Sequence, residues 1–329
     1  MIDCLSNPEW INPQIDFLLL LQNFRIGHLE ILDKFFLSVT VFGEFWLPAA
    51  ICAITYWCID FKTGMYLFSL HGMNILLTHF FKMLACVYRP WILSSDMHPS
   101  ELAVPYAKGY SFPSGHSAMS SSVIGGLAYI FRKKRFLCIF CIGLVLLVGF
   151  SRLWLGVHTP QDVVCGFLIG LVLVFGLNYL YNRAEKDRNR YLYILGIINT
   201  AAAAALIYIC YFNQYRIDYV SGEMLVNPAD MVYHACVVYG YALGILNGCF
   251  LCRRFYPFDP QNKSVKCRII RGFIGTLWLI LMIKFLFRYV ILNTLAIKIA
   301  MPIVFLAGLS LTLIYPIIFI NSEKYLKLK

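Results

Sequence analysis

Charge is what this sequence is short of. Only 14% of its 329 residues are Asp, Glu, Lys or Arg, where a soluble domain of this length carries about 25%. The shortage excludes an ordinary soluble globular domain, because the apolar remainder comes in blocks of about 20 residues, the length that crosses a membrane. The first 30 residues lack a basic n-region and contain Glu9, Asp16 and Glu30, so no cleavable signal peptide is expected there. Paired Cys/His spacing is missing too. The 12 cysteines are scattered, mostly inside apolar runs, and read as small buried hydrophobes rather than metal ligands. There is no internal repeat and no low-complexity linker.

What is present is 60% hydrophobic residues and a formal net charge of +11. In a chain of apolar spans, excess Lys and Arg marks cytoplasmic loops, and no nucleic-acid partner is expected. Residues 1–35 are predicted to form an N-terminal interfacial amphipathic segment. Nine spans are expected near 36–59, 64–87, 114–131, 136–155, 161–181, 191–212, 230–251, 269–291 and 295–319. The fold class is therefore all-α, a polytopic membrane helical bundle. The basic connectors 132–135, 182–190, 252–268 and 321–329 all fall on one side, which assigns that side to the cytoplasm.

The opposite, extracytoplasmic side collects an unusual set of polar residues. KMLACVYRP ends the second span and carries Lys82 and Arg89 seven residues apart, nearly two helical turns and so one face. PSGH, with Ser114, Gly115 and His116, opens the third span. SRLWLGVHTPQD leads from the fourth span to the fifth and carries Arg152, His158 and Asp162. Charges at membrane depth are costly and mark function. Two guanidinium groups and an ammonium suit a tetrahedral oxyanion. Ser114 as N-cap would leave the amides of Gly115 and His116 at the positive end of a helix, and Gly115 permits close backbone approach. Thr159 is placed to cap the fifth span, with Pro160 at its first position. Asp162 then faces back across the first turn to accept the Nδ1–H of His158, which leaves Nε2 free as a nucleophile. His116 is placed to protonate a leaving oxygen. No carboxylate cluster accompanies them, which argues against a two-metal site.

These three stretches resemble the three-part signature of the type-2 phosphatidic acid phosphatase superfamily: Lys, six residues, Arg-Pro; Pro-Ser-Gly-His; Ser-Arg, five residues, His, three residues, Asp. Every motif position matches, and the resemblance covers roughly residues 60–182. It implies a six-helix phosphatase core, here 36–212, and leaves 213–329 as a C-terminal three-helix membrane extension. It implies His158 as nucleophile, His116 as general acid and Asp162 as orienting carboxylate, with Lys82, Arg89, Ser114, Gly115 and Arg152 as phosphate ligands. No metal and no cofactor are expected. The partners are the lipid bilayer and a phosphorylated lipid or isoprenoid substrate, in a plasma membrane or facing an organelle lumen. The rival readings are a lipid phosphotransferase using the same histidine and a transporter of a phosphorylated ligand. A transporter needs the cations but not the histidine pair.

Taken singly, each of these residues has a plainer explanation. Lys82 could snorkel, His116 could be a core histidine, and Asp162 could be a first-turn charge. Their convergence is what argues for a site. His71 and His79 on the second span are expected to make intramembrane hydrogen bonds. Lys284, Arg288 and Lys298 near the outer ends of the last spans are expected to snorkel. Tyr106, Lys108 and Tyr110 are candidates for the substrate entrance. Glu44, inside the first span, is expected to have an internal partner.

Overall fold

The computed structural model describes residues 8–28, 30–184, 189–215, 217–220, 223–286, 288 and 295–325. Its helices in order are α1 (Pro8–His28), α2 (Glu30–Thr40), α3 (Trp46–Ile54), α4 (Phe61–Ala85), α5 (Pro90–Leu93), α6 (Gly115–Ile130), α7 (Arg135–Trp154), α8 (Pro160–Ala184), α9 (Arg190–Ile207), α10 (Pro228–Phe255), α11 (Val265–Leu286), α12 (Ile297–Leu309) and α13 (Tyr315–Tyr325). A small antiparallel ladder pairs Tyr219 with Met224 and Val220 with Glu223. The fold is a polytopic helical bundle of a multi-pass membrane protein.

Seven described segments are long and apolar enough to cross a membrane. An eighth is a broken pair, Ile31–Gly43 and Trp46–Ile59, bent by 47°. The third expected span, 114–131, corresponds to α6, whose 16 residues rise only about 24 Å at 1.5 Å each, short of the ~30 Å hydrocarbon core. The end of the expected eighth span and the 292–294 turn lie outside the described residues, as do 1–7, 185–188 and 326–329.

The chain forms two compact units. The first gathers Met1–Leu47, Leu77–Val172 and Tyr208–Val232. Within it, α1 turns one stripe inward, Ile11, Ile15, Leu18, Gln22 and Arg25, at the 3–4-residue spacing of a helix face. The three apolar members pack with Met97. The outward face carries Trp10, Phe17, Leu20 and Phe24, all exposed. Polar contacts fasten α1 to the motif-bearing segments. Trp10 Nε1 donates to Gln161 Oε1 at 2.6 Å, and the Gln161 amide donates to Gln14 Oε1 at 2.9 Å. Gln22 exchanges bonds with Asp96 and His98 at 2.9 and 2.7 Å. Phe36 of α2 joins Ala103, Ala107, Trp154, Leu155 and Val157 in a second cluster.

Helices α6 and α8 meet through small residues. A Cβ on Gly166 would stand 2.8 Å from the Ser114 carbonyl oxygen, and one on Gly170 would stand 2.4 Å from Ser121 Cβ. Such small-residue contacts let backbones approach where lipid offers no hydrophobic drive. The close approach sets the start of α6 against the start of α8.

The second unit gathers Pro48–Leu76, Leu173–Ile207 and Tyr233–Lys329. Gly240, Gly244 and Gly248 form a stripe on α10 against Met301, Phe305 and Thr312. Asn199 and Asn247 exchange side-chain bonds at 3.2 and 2.9 Å. Arg271 is buried in a bidentate pair with Glu323, at 2.7 and 2.8 Å from Nη2, and its Nη1 donates to the Trp57 carbonyl at 2.7 Å.

Candidate active site

Every motif residue lies in the first unit. The three stretches are tied by their backbones as well as their side chains. The Ser114 amide donates to the Asp162 carbonyl at 2.9 Å, joining the second stretch to the third. The Ser111 amide donates to the Val87 carbonyl at 2.7 Å, joining it to the first.

His158 sits in the short connector between α7 and α8 and is buried. Gly156, at φ +70°, supplies the left-handed turn that lets the chain reverse there. Arg89 Nη1 lies 2.9 Å from His158 Nε2. A guanidinium can only donate, so Nε2 accepts and carries a lone pair, and the ring proton belongs on Nδ1. Nδ1 lies 3.3 Å from Asp162 Oδ2 and 3.3 Å from Ser111 Oγ. Burial, then the charges of Arg89, Arg152 and Lys82, hold the His158 imidazole well below its ordinary pKa, so the ring is neutral in the empty site.

Asp162 is fully buried and its Oδ2 is the hub of the arrangement. It accepts from Ser111 Oγ at 2.5 Å and from the Thr159 amide at 2.9 Å. The second bond is half of a capping box, a first-turn carboxylate reaching back to the N-cap amide. Thr159 does occupy the N-cap position, and its carbonyl accepts from Asp162 at 3.1 Å. Its hydroxyl is buried with no hydrogen-bond partner, so the box closes in one direction only. Ser111 was not singled out by the sequence. One serine among many carries no spacing signal, and only the folded loop brings it to Asp162.

The cations divide into two kinds. Lys82 and Arg89 hold the loop that precedes Ser114. Lys82 Nζ donates to the carbonyls of Tyr110, Ser111 and Pro113 at 2.7, 3.2 and 3.3 Å. Arg89 donates to the carbonyls of Gly109, Val157 and Lys108 at 3.1, 2.8 and 3.3 Å. Lys108 and Tyr110 thus meet the site through their backbones, while the Tyr106 ring is exposed. Arg152 differs. It is 2% exposed, and its Nε is buried with no hydrogen-bond partner. An unsatisfied buried guanidinium costs several kcal/mol, which an anion bound there would relieve.

Ser114 caps α6: its Oγ accepts from the Ser117 amide at 3.4 Å and from Ser117 Oγ at 2.9 Å. Beside Gly115 there is room. A Cβ built there meets only Thr78 Cγ2, at 3.9 Å, so packing does not demand the glycine. His116 follows on the first turn of α6. Outside this cluster, His71 is fully buried in the second unit, and Lys284 and Lys298 are exposed there on α11 and α12.

The first unit thus holds a buried histidine–carboxylate pair together with three cationic side chains. Residues 63–186 match the PAP2 superfamily, and residues 236–326 match the PAP2 superfamily phosphatase, transmembrane extension. The chain thus carries a PAP2 superfamily domain followed by a PAP2 transmembrane extension. It is 31% identical over 103 residues to an undecaprenyl-diphosphatase of Sulfolobus acidocaldarius, a match covering 31% of this chain and 48% of that protein. The chain therefore matches about half the length of that relative. It also resembles the crystal structure of the first transmembrane PAP2 type phosphatidylglycerolphosphate phosphatase from Bacillus subtilis, with 23% identity and a TM-score of 0.45 over 55% of this chain and 91% of that one.

Proposed function

We propose that this protein is an integral membrane phosphatase that hydrolyses a phosphomonoester or diphosphate of a lipid-like substrate through a phosphohistidine, without a metal. The observation that carries the reading is the His158 geometry: Nδ1 faces Asp162 Oδ2 at 3.3 Å, and Nε2 presents its lone pair toward Arg89 at 2.9 Å. That is an oriented nucleophile with a phosphate ligand already beside it.

In the first step Nε2 of His158 attacks phosphorus, the bond from phosphorus to the leaving oxygen breaks, and His116 gives that oxygen its proton. The imidazole becomes cationic and Asp162 offsets that charge. In the second step water attacks phosphorus, His116 takes the water proton, the P–N bond breaks and orthophosphate leaves. Arg89, Arg152 and Lys82 balance the charge on the equatorial oxygens, and the α6 N-terminus at Ser114 and Gly115 contributes its dipole. The connector 132–134 lies at the far ends of α6 and α7 from Ser114 and Arg152. Basic connectors favour the cytoplasmic side, which supports a site on the extracytoplasmic face. The match to an undecaprenyl-diphosphatase supports an isoprenyl diphosphate or related lipid phosphate as substrate. The core would occupy 36–212, after a membrane-surface segment at 1–35, and the extension 213–329.

The test is phosphate release by purified protein from a panel of lipid phosphates. His158→Ala is expected to lose release while keeping its elution profile and thermal midpoint. Unchanged turnover in that variant would refute the mechanism. Activity that vanished with a chelator and returned with a divalent cation would refute its metal independence.

A further inference from the structure

The mechanism above uses the buried carboxylate Asp162 and leaves the half-buried Glu44 without a role. Glu44 lies at the break of the helix pair bent by 47°. The preceding residue is wedged against the start of α6: a Cβ on Gly43 would stand 2.6 Å from the His116 carbonyl oxygen and 2.9 Å from Val148 Cγ1. The bend so delivers Glu44 to the side of the site formed by α6 and α7. Glu44 is half-buried and interacts electrostatically with Arg152. Among the described residues no ion pair within 4.0 Å joins the two, and Arg152 Nε remains without a hydrogen-bond partner. Glu44 is thus near enough to pull on Arg152 and too far to neutralise it.

We propose that Glu44 is a positioning residue that competes with phosphate for Arg152 and thereby speeds release of the orthophosphate product. The proposal rests on the phosphatase reading of the site. Its logic is charge balance. The three cations Lys82, Arg89 and Arg152 face the two carboxylates Asp162 and Glu44, so the empty site has an excess of one positive charge. A phosphate dianion turns that into an excess of one negative charge, which favours departure. Without Glu44 the same dianion would leave the site neutral and held. At an effective dielectric near 20, a unit charge about 12 Å away alters anion affinity by on the order of ten-fold, and a nearer one by more.

The experiment is the inhibition constant of orthophosphate against turnover of a lipid phosphate, on the full chain in detergent. Glu44→Gln is expected to lower that constant about ten-fold, with KM and kcat both falling, and Glu44→Asp is expected to stay near wild type. A constant that is unmoved or raised in Glu44→Gln, with kcat lost, would make Glu44 merely structural and overturn the proposal. If Glu44→Gln is unstable, Glu44→Met carries the same test; instability of both would also overturn it. Phosphate release absent from the wild type on every substrate would instead overturn the phosphatase reading itself.

Discussion

At the scale of single residues, the site is organised around the two nitrogens of His158. Arg89 reaches Nε2 as a donor at 2.9 Å, so in the proposed mechanism substrate binding moves that guanidinium from the nitrogen to a phosphate oxygen. The orienting side is weaker than its composition suggests, because Nδ1 is 3.3 Å from Asp162 while the shorter bond to the carboxylate, at 2.5 Å, comes from Ser111. Ser111→Ala is therefore expected to lower kcat by about 10–100-fold with little change in KM, since a hydrogen bond to a charged group contributes about 1.5–3 kcal/mol. Steady-state kinetics on the purified variant reads this directly.

The lowered pKa of His158 sets a sign. The free enzyme loses its lone pair only when the pH falls through that lowered value. The acid limb of kcat/KM should lie below ~6.5, the ordinary histidine value, when followed on a substrate whose own ionisation has been measured. Stability follows the same direction: the unfolded chain binds the proton first, so the contribution of His158 is present above ~6.5 and is lost as the pH falls below it.

At the scale of elements, the motif residues were legible because charge in an apolar segment is conspicuous. Lys82, Arg89, Arg152, His158 and Asp162 stand out at fixed spacings, and the structure brings them together. What escaped the sequence is what backbone atoms and small residues do. Nothing in KMLACVYRP says that Lys82 will be engaged by three carbonyls. Nothing in VFGEFW says that Gly43 will lie against His116. Helix bounds were legible for most spans, α6 included (114–131 expected, Gly115–Ile130 found), but not the 47° break inside the expected span 36–59. The small-residue contact between α6 and α8 is the element on which the motif geometry depends. Gly170→Val is expected to lower the thermal midpoint in detergent by the equivalent of about 1–3 kcal/mol, the usual cost of overpacking, and to reduce kcat as the two helix starts separate.

At the scale of the whole molecule, two properties follow from where charge is tolerated. The proposed orientation rests on the basic connectors. On a background stripped of native cysteines, Tyr106→Cys should react with a membrane-impermeant thiol reagent added outside intact cells, and Lys133→Cys should react only after permeabilisation. In the second unit, Arg271 and Glu323 are buried partners, and removing Arg271 leaves the carboxylate only the more exposed Lys263 at 3.5 Å, at a cost of up to about 3–5 kcal/mol. Arg271→Ala should lower the thermal midpoint sharply, and Arg271→Met combined with Glu323→Leu should recover much of the loss.

The measurement closest to the central claim is capture of the covalent intermediate. Protein mixed with a lipid phosphate labelled in its terminal phosphoryl group, then quenched within milliseconds, should carry label on His158. That label should be acid-labile and base-stable, and it should be absent from His158→Ala. Label on another residue, or rapid phosphate release with no labelled protein at any quench time, would contradict the account.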